Sequence, residues 1–105
     1  MIEITVDALK RRRDAGEDFV LLDVREPDEI ETASIPWAHV ISMREIPARI
    51  DEIPRDKPLV VMCHHGGRSE RVAQFLEANG YENAANLTGG IDAWSASVDP
   101  AVPRY

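Results

Sequence analysis

Apolar residues gather in short runs separated by polar, helix-compatible stretches. Phe19-Val20-Leu21-Leu22-Asp23-Val24 and Pro58-Leu59-Val60-Val61-Met62 are near-continuous rather than alternating, as expected of strands covered on both faces in a parallel sheet. His39 to Met43 gives a weaker strand and Ala84 to Leu87 a short one. Between them lie helical segments. Thr5 can cap a first helix running to about Asp14, with Val6 and Leu9 on its apolar side and Gly16 beyond its end. Pro27 suits the first position of a short helix, which Ile35-Pro36 breaks. Ser42-Met43-Arg44-Glu45 fits a capping box opening another short helix, with Ile46, Ile50 and Ile53 on one face. A longer helix follows Ser69 and stops at Gly80, and a last one begins near Ile91 after the turn Thr88-Gly89-Gly90. The tail with Pro100 and Pro103 reads as irregular. Strands alternating with helices give an α/β class: a mainly parallel central sheet flanked by helices on both faces.

Composition narrows the class of protein. A chain of 105 residues with 44% hydrophobic content suits one domain, residues 1–105, built on a single core. No apolar run approaches membrane-spanning length, and Met1 to Asp7 lacks the features of a signal peptide. The expectation is a cytoplasmic chain with no membrane partner. A net charge of −7 argues against nucleic acid. The basic run Lys10-Arg11-Arg12-Arg13 reads as the solvated last turn of the first helix, where cations suit the helix dipole.

The chemistry concentrates in Cys63-His64-His65-Gly66-Gly67-Arg68-Ser69, which holds the only cysteine and two of the three histidines. A strand ends there, turns through glycines and enters a helix. That layout aims backbone N–H groups and a helix N-terminus at the space beside the sulfur. Gly66 and Gly67 permit positive φ and close approach of the backbone to an anion. The helix dipole and Arg68 should both lower the thiol pKa, into the ~3.5–7.5 range of activated cysteines. Cys63 is therefore the candidate nucleophile and Arg68 the candidate oxyanion binder, the latter also able to pair with a carboxylate such as Asp23. Ser69 is most simply the N-cap, with a hydroxyl able to reach the sulfur. His64 and His65 can tune the thiol or orient substrate, or can be solvated loop side chains; both readings stand. Three adjacent residues are poorly spaced to share one tetrahedral metal, so no metal site is expected. A lone cysteine also rules out an internal disulfide and any mechanism resolved by a second cysteine of the same chain.

Asp23 and Arg25 end the first apolar strand, and in parallel α/β sheets ligands bind beyond the strands' carboxyl ends. These two residues and the Cys63 loop can therefore share one site. A carboxylate ending an apolar strand is costly to bury unpaired, so Asp23 should cap its turn or pair with Arg25 or Arg68, supporting the loop rather than reacting.

Three ordered stretches resemble the rhodanese family of sulfurtransferases: Leu22-Asp23-Val24-Arg25-Glu26-Pro27 with Glu29, the Cys63 to Ser69 loop, and Asn86-Leu87-Thr88-Gly89-Gly90-Ile91-Asp92-Ala93-Trp94. The resemblance spans nearly the whole chain and implies a rhodanese-like fold. One stretch departs from the family: Ala33-Ser34-Ile35-Pro36-Trp37-Ala38 stands where Gly-His-Ile-Pro-Gly-Ala is usual, a change that bears on packing and pocket shape. The resemblance implies sulfur transfer through a Cys63 persulfide. The partners would be a small-molecule sulfur donor and acceptor, such as thiosulfate and cyanide, or a protein persulfide or thiol. It implies no cofactor. Related phosphatases and arsenate reductases carry five residues between cysteine and arginine; this chain has four, which suits a single sulfur atom better than a tetrahedral oxyanion. A binding module without turnover, and a phosphatase or arsenate reductase, are the alternative functions.

Overall fold

The computed structural model describes residues 1–105. Five parallel strands form one sheet in the order β1-β5-β4-β2-β3: β1 is Ile2–Ile4, β2 Val20–Asp23, β3 His39–Val40, β4 Leu59–Met62 and β5 Ala84–Leu87. The helices are α1 Val6–Asp14, α2 Pro27–Thr32, α3 Ile46–Arg49, α4 Gly67–Ala78 and α5 Gly90–Ser97, with a short 3-10 turn on either side of α3. No helix is long and apolar enough to cross a membrane.

Because side chains alternate across a strand, the two continuous apolar strands supply both faces of the sheet. Leu21, Val60 and Met62 pack with Leu9 of α1 and with Ile91 and Trp94 of α5. Leu22, Val61 and Cys63 point the other way, toward Val72, Ala73 and Leu76 of α4 and Ile46 of α3. Cys63 thus inherits the α4 face from its place in the alternation.

Strand order explains where the site lies. From β2 the chain moves outward to β3, and from β4 it moves to β5 on the opposite side. The connections leaving β2 and β4 diverge and open a crevice at their carboxyl ends, the position where open α/β sheets bind ligands.

Several local expectations change. Strand β1 lies at a sheet edge with Ile2 and Glu3 exposed; three residues are too few to show a periodic pattern. Ser42 makes no capping hydrogen bond, and Glu45 turns instead toward Arg49 at 3.7 Å. The capping box in this fold belongs to α2: Glu26 is the N-cap, and its N–H donates to Glu29 Oε1 at 3.2 Å. Trp37 belongs to the packing rather than to the site. It lies edge-on to Phe19 and Trp94, with the Arg13 guanidinium 4.0 Å above its ring.

Candidate active site

The loop after β4 folds back on its own sulfur. The Gly66 N–H donates to Cys63 Sγ at 3.0 Å, and the N–H groups of His65 and Ser69 also point at it. Gly66 is the N-cap of α4 with φ 113°, a left-handed conformation that disfavours any residue carrying a Cβ. Gly67 has an ordinary φ and open space around it, so of the two glycines only Gly66 meets the backbone demand. Ser69 is not the N-cap. It lies in the first turn of α4, buried, with its hydroxyl 3.3 Å from Sγ. Burial pushes the Cys63 thiol up; the Ser69 hydroxyl and the backbone N–H groups of Ser69, Gly66 and His65 outweigh it and bring the thiol below its ordinary value.

Helix α5 holds the other side of the loop. Its first N–H groups, from Ile91 and Asp92, donate to the carbonyls of Cys63 and His64 at 3.0 and 3.1 Å. The close approach needs Gly90, where a Cβ would fall 2.5 Å from the Cys63 carbonyl oxygen and against the His64 carbonyl as well. The N-terminus of α4 therefore faces the sulfur, and that of α5 fastens the loop carbonyls.

Arg68 is placed differently from the expectation. Its guanidinium meets Glu29, not Asp23, in a bidentate pair at 2.6 and 2.9 Å. The Arg68 partnership, opposed by burial, holds the Glu29 carboxyl down at about 2. The cation still attracts the Cys63 thiolate through its charge, an influence weaker than the hydrogen bonds to Sγ.

Asp23 and Arg25 form a fully buried pair at 2.7 Å. Asp23 Oδ1 also accepts from the Arg25 backbone N–H at 3.1 Å, capping the turn. The rest of the guanidinium donates to the carbonyls of Glu29 (3.3 Å) and Ala33 (2.8 Å) and to the Tyr105 hydroxyl (3.0 Å). Since the Val24 N–H donates to the Met62 carbonyl at 3.0 Å, this frame adjoins Cys63 across the crevice. Asp23 and Arg25 thus brace the segment that presents Glu29 to Arg68.

The two loop histidines stack on each other with ring centroids 3.8 Å apart, and Tyr105 stacks on the far face of His64 at 3.9 Å. The Tyr105 hydroxyl donates to Glu29 Oε2 at 2.7 Å, and Arg104 pairs with Asp92 at 3.0 Å. Donor atoms of His64, His65 and Asp92 lie within 4.8 Å of one another. Lone pairs of imidazoles lie in the ring planes, and planes stacked at 30° do not meet a bond length from both nitrogens. The stacked rings therefore do not aim at one ion.

Four contributors escaped the reading of the sequence: Asn86, Glu3, the Glu29–Arg68 pairing and Tyr105. Asn86 lies inside a strand and Tyr105 in a tail without periodicity, and the partners of all four are distant in the chain. Glu29 and Asn86 do stand in the stretches that carry the family resemblance, which marks both without assigning either a partner.

The Glu29–Arg68 pair sets a pH dependence. A carboxyl depressed in the fold stabilises it fully above its unfolded value near 4.5, and that contribution is lost as pH falls toward 2. Arg68 is one-third exposed, so solvent screening reduces the effect to about 1–2 kcal/mol. Glu29→Gln should be less stable than wild type by that amount at pH 7 in urea unfolding, with the two curves converging near pH 2. A difference unchanged with pH would show that the pair is not what Glu29 contributes.

The model of the rhodanese-like domain family matches residues 5–97. The chain is 43% identical over 93 residues to the rhodanese-like/PpiC domain-containing protein 12, chloroplastic, of Arabidopsis thaliana, covering 85% of this chain but only 31% of that longer protein. It is 40% identical over 100 residues to a sulfurtransferase of Allochromatium vinosum, covering 95% of this chain and 94% of that one. The crystal structure of a rhodanese-like domain protein from Staphylococcus aureus superposes with a TM-score of 0.87 at 32% identity, covering 100% of this chain and 99% of that one. Fold, loop and relatives agree: this chain belongs to the rhodanese-like domain family, whose members include sulfurtransferases of its own length.

Proposed function

We propose that the protein is a sulfurtransferase that carries sulfur on Cys63. The observation that bears most weight is a sulfur at the carboxyl end of β4 that accepts the Gly66 N–H at 3.0 Å and faces the N-terminus of α4. Those dipoles cost no reorganisation when negative charge develops on sulfur. The Cys63 thiolate attacks the outer sulfur of a donor such as thiosulfate. The donor's S–S bond breaks, its electron pair leaves with sulfite, and the outer sulfur remains on Sγ as a persulfide. An acceptor, cyanide or a thiol, then attacks that outer sulfur, and the electron pair of the broken bond returns to Sγ as thiolate. With one cysteine in the chain, discharge goes to an outside acceptor.

The length of the loop favours sulfur over phosphate or arsenate chemistry. Four residues separate Cys63 from Arg68, and the turn closes on the sulfur, with the Gly66 N–H 3.0 Å from Sγ. A donor such as thiosulfate or a persulfide leaves a single sulfur atom in that turn, whereas phosphate or arsenate must place a tetrahedral centre with its oxygens there.

Steady-state kinetics with thiosulfate and cyanide test the two-step scheme. Parallel double-reciprocal lines are expected, because sulfite leaves before cyanide reacts. Intersecting lines would contradict it, as would turnover of arsenate or aryl phosphates without sulfur transfer.

A further inference from the structure

Behind the sulfur lies a short chain of buried polar groups. Ser69 Oγ is 3.3 Å from Cys63 Sγ and 2.5 Å from Asn86 Oδ1. The Asn86 amide cannot turn over, because its Nδ2 donates to the Gly66 carbonyl at 3.2 Å and to the Glu3 carboxylate at 3.2 and 3.3 Å. A flip would set Oδ1 against those oxygens. Glu3 is itself held by the Thr88 hydroxyl at 2.7 Å. Asn86 Oδ1 is thus a fixed acceptor, buried with the rest of the residue. A serine hydroxyl has one proton. Two acceptors, Asn86 Oδ1 and Cys63 Sγ, compete for it.

We propose that Asn86 is a positioning residue that holds the Ser69 proton in reserve and releases it to Cys63 only when the sulfur is a thiolate. With Cys63 as thiol or persulfide, Sγ carries no charge and the hydroxyl stays on Asn86 at the shorter distance. When negative charge forms on Sγ, the hydroxyl rotates to it, because hydrogen bonds to charged acceptors are stronger. No proton is transferred; one hydrogen bond is exchanged for another. The exchange leaves Asn86 Oδ1 buried without a donor, so Asn86 opposes the thiolate while Ser69 favours it. On the sulfurtransferase reading, on which this role in turnover rests, the hydroxyl swings to Sγ as the persulfide discharges and returns when the next sulfur arrives. Glu3 and Asn86 then set the balance between the loaded and the free enzyme.

Other charged groups surround the sulfur and must be separated from this effect. Glu3 of β1 touches Asn86, Arg68 with Glu29 lies across the loop, and His64 and His65 share the loop with Asp92 beside them. The buried Asp23–Arg25 pair adjoins from β2.

The experiment is the pH profile of Cys63 alkylation by iodoacetamide, which needs no sulfur transfer. Asn86→Ala should move the midpoint down by about half to one pH unit, the size of one exchanged hydrogen bond, and Ser69→Ala should move it up. In the Ser69→Ala background, Asn86→Ala should have no further effect. An equal shift in both backgrounds would overturn the proposal. Should Asn86→Ala fail to fold, the wild-type protein answers by NMR. The Asn86 side-chain carbonyl carbon should titrate with the same midpoint as Cys63, and that titration should vanish once Cys63 is alkylated. An Asn86 signal unmoved by thiolate formation, or one that titrates equally after alkylation, would also overturn it. Failure here leaves sulfur transfer itself intact, and loss of sulfur transfer with the shifts as expected would count against the turnover reading alone.

Discussion

Cys63→Ser is expected to abolish sulfur transfer while leaving the fold in place. The serine oxygen occupies nearly the same space and accepts the same N–H groups that now reach Sγ, so the loop keeps its hydrogen bonds. The variant loses what the reaction needs: a group ionised near neutral pH that can bond a second sulfur. Removal of a covalent nucleophile costs up to about 10^6-fold elsewhere, and a loss of at least ~10^3-fold is expected here. Thiosulfate:cyanide turnover measures it, with circular dichroism to check the fold. Residual activity near the wild-type level would mean that Cys63 does not carry the sulfur.

The second large effect concerns stability. Arg25 is a fully buried cation whose donors serve Asp23, two carbonyls and the Tyr105 hydroxyl. Arg25→Met leaves the Asp23 carboxylate buried without its partner and the Ala33 carbonyl without its guanidinium donor, while the Glu29 carbonyl keeps only the Ala33 N–H. Breaking one side of such a pair costs about 3–5 kcal/mol, comparable to the whole stability of many small folds. The urea midpoint should drop accordingly, or the variant should not fold. Removing both charges, in Asp23→Asn with Arg25→Met, should recover part of the loss, since no net charge then remains buried. Arg25→Lys keeps the charge but loses the planar fork and should fall between. Equal stability of Arg25→Met and wild type would show that the pair contributes nothing to holding the crevice.

What could be read from the sequence, and what could not, divides along one physical line. Local signals carried well. The apolar runs at Leu21 and Val60, the glycine turn before α4 and the capped first helix are all set by residues close in the chain, and each element formed where its pattern lies. Asp23 and Cys63 at neighbouring strand ends followed from the α/β class alone. Motif spacing misled where a short pattern arises by chance: Ser42 with Glu45 has the form of a capping box, yet the functioning one pairs Glu26 with Glu29. Partnerships across the sheet left no local trace. Arg68 finds Glu29 thirty-nine positions away, and Asn86 finds Glu3 eighty-three away. Those contacts depend on strand order, which sets β1 beside β5 and brings the turn after β2 to the turn after β4. The polar groups that tune the sulfur are therefore the part that only the fold reveals.

The most direct test of the sulfur-carrying claim is the intact mass of the protein after incubation with thiosulfate, and again after addition of cyanide. The expected result is a gain of one sulfur atom that disappears with cyanide and never occurs in Cys63→Ser. No gain with thiosulfate or with a small-molecule persulfide, in protein whose Cys63 is still alkylated rapidly at neutral pH, would contradict it: the thiol would be reactive, but sulfur would not be what it carries.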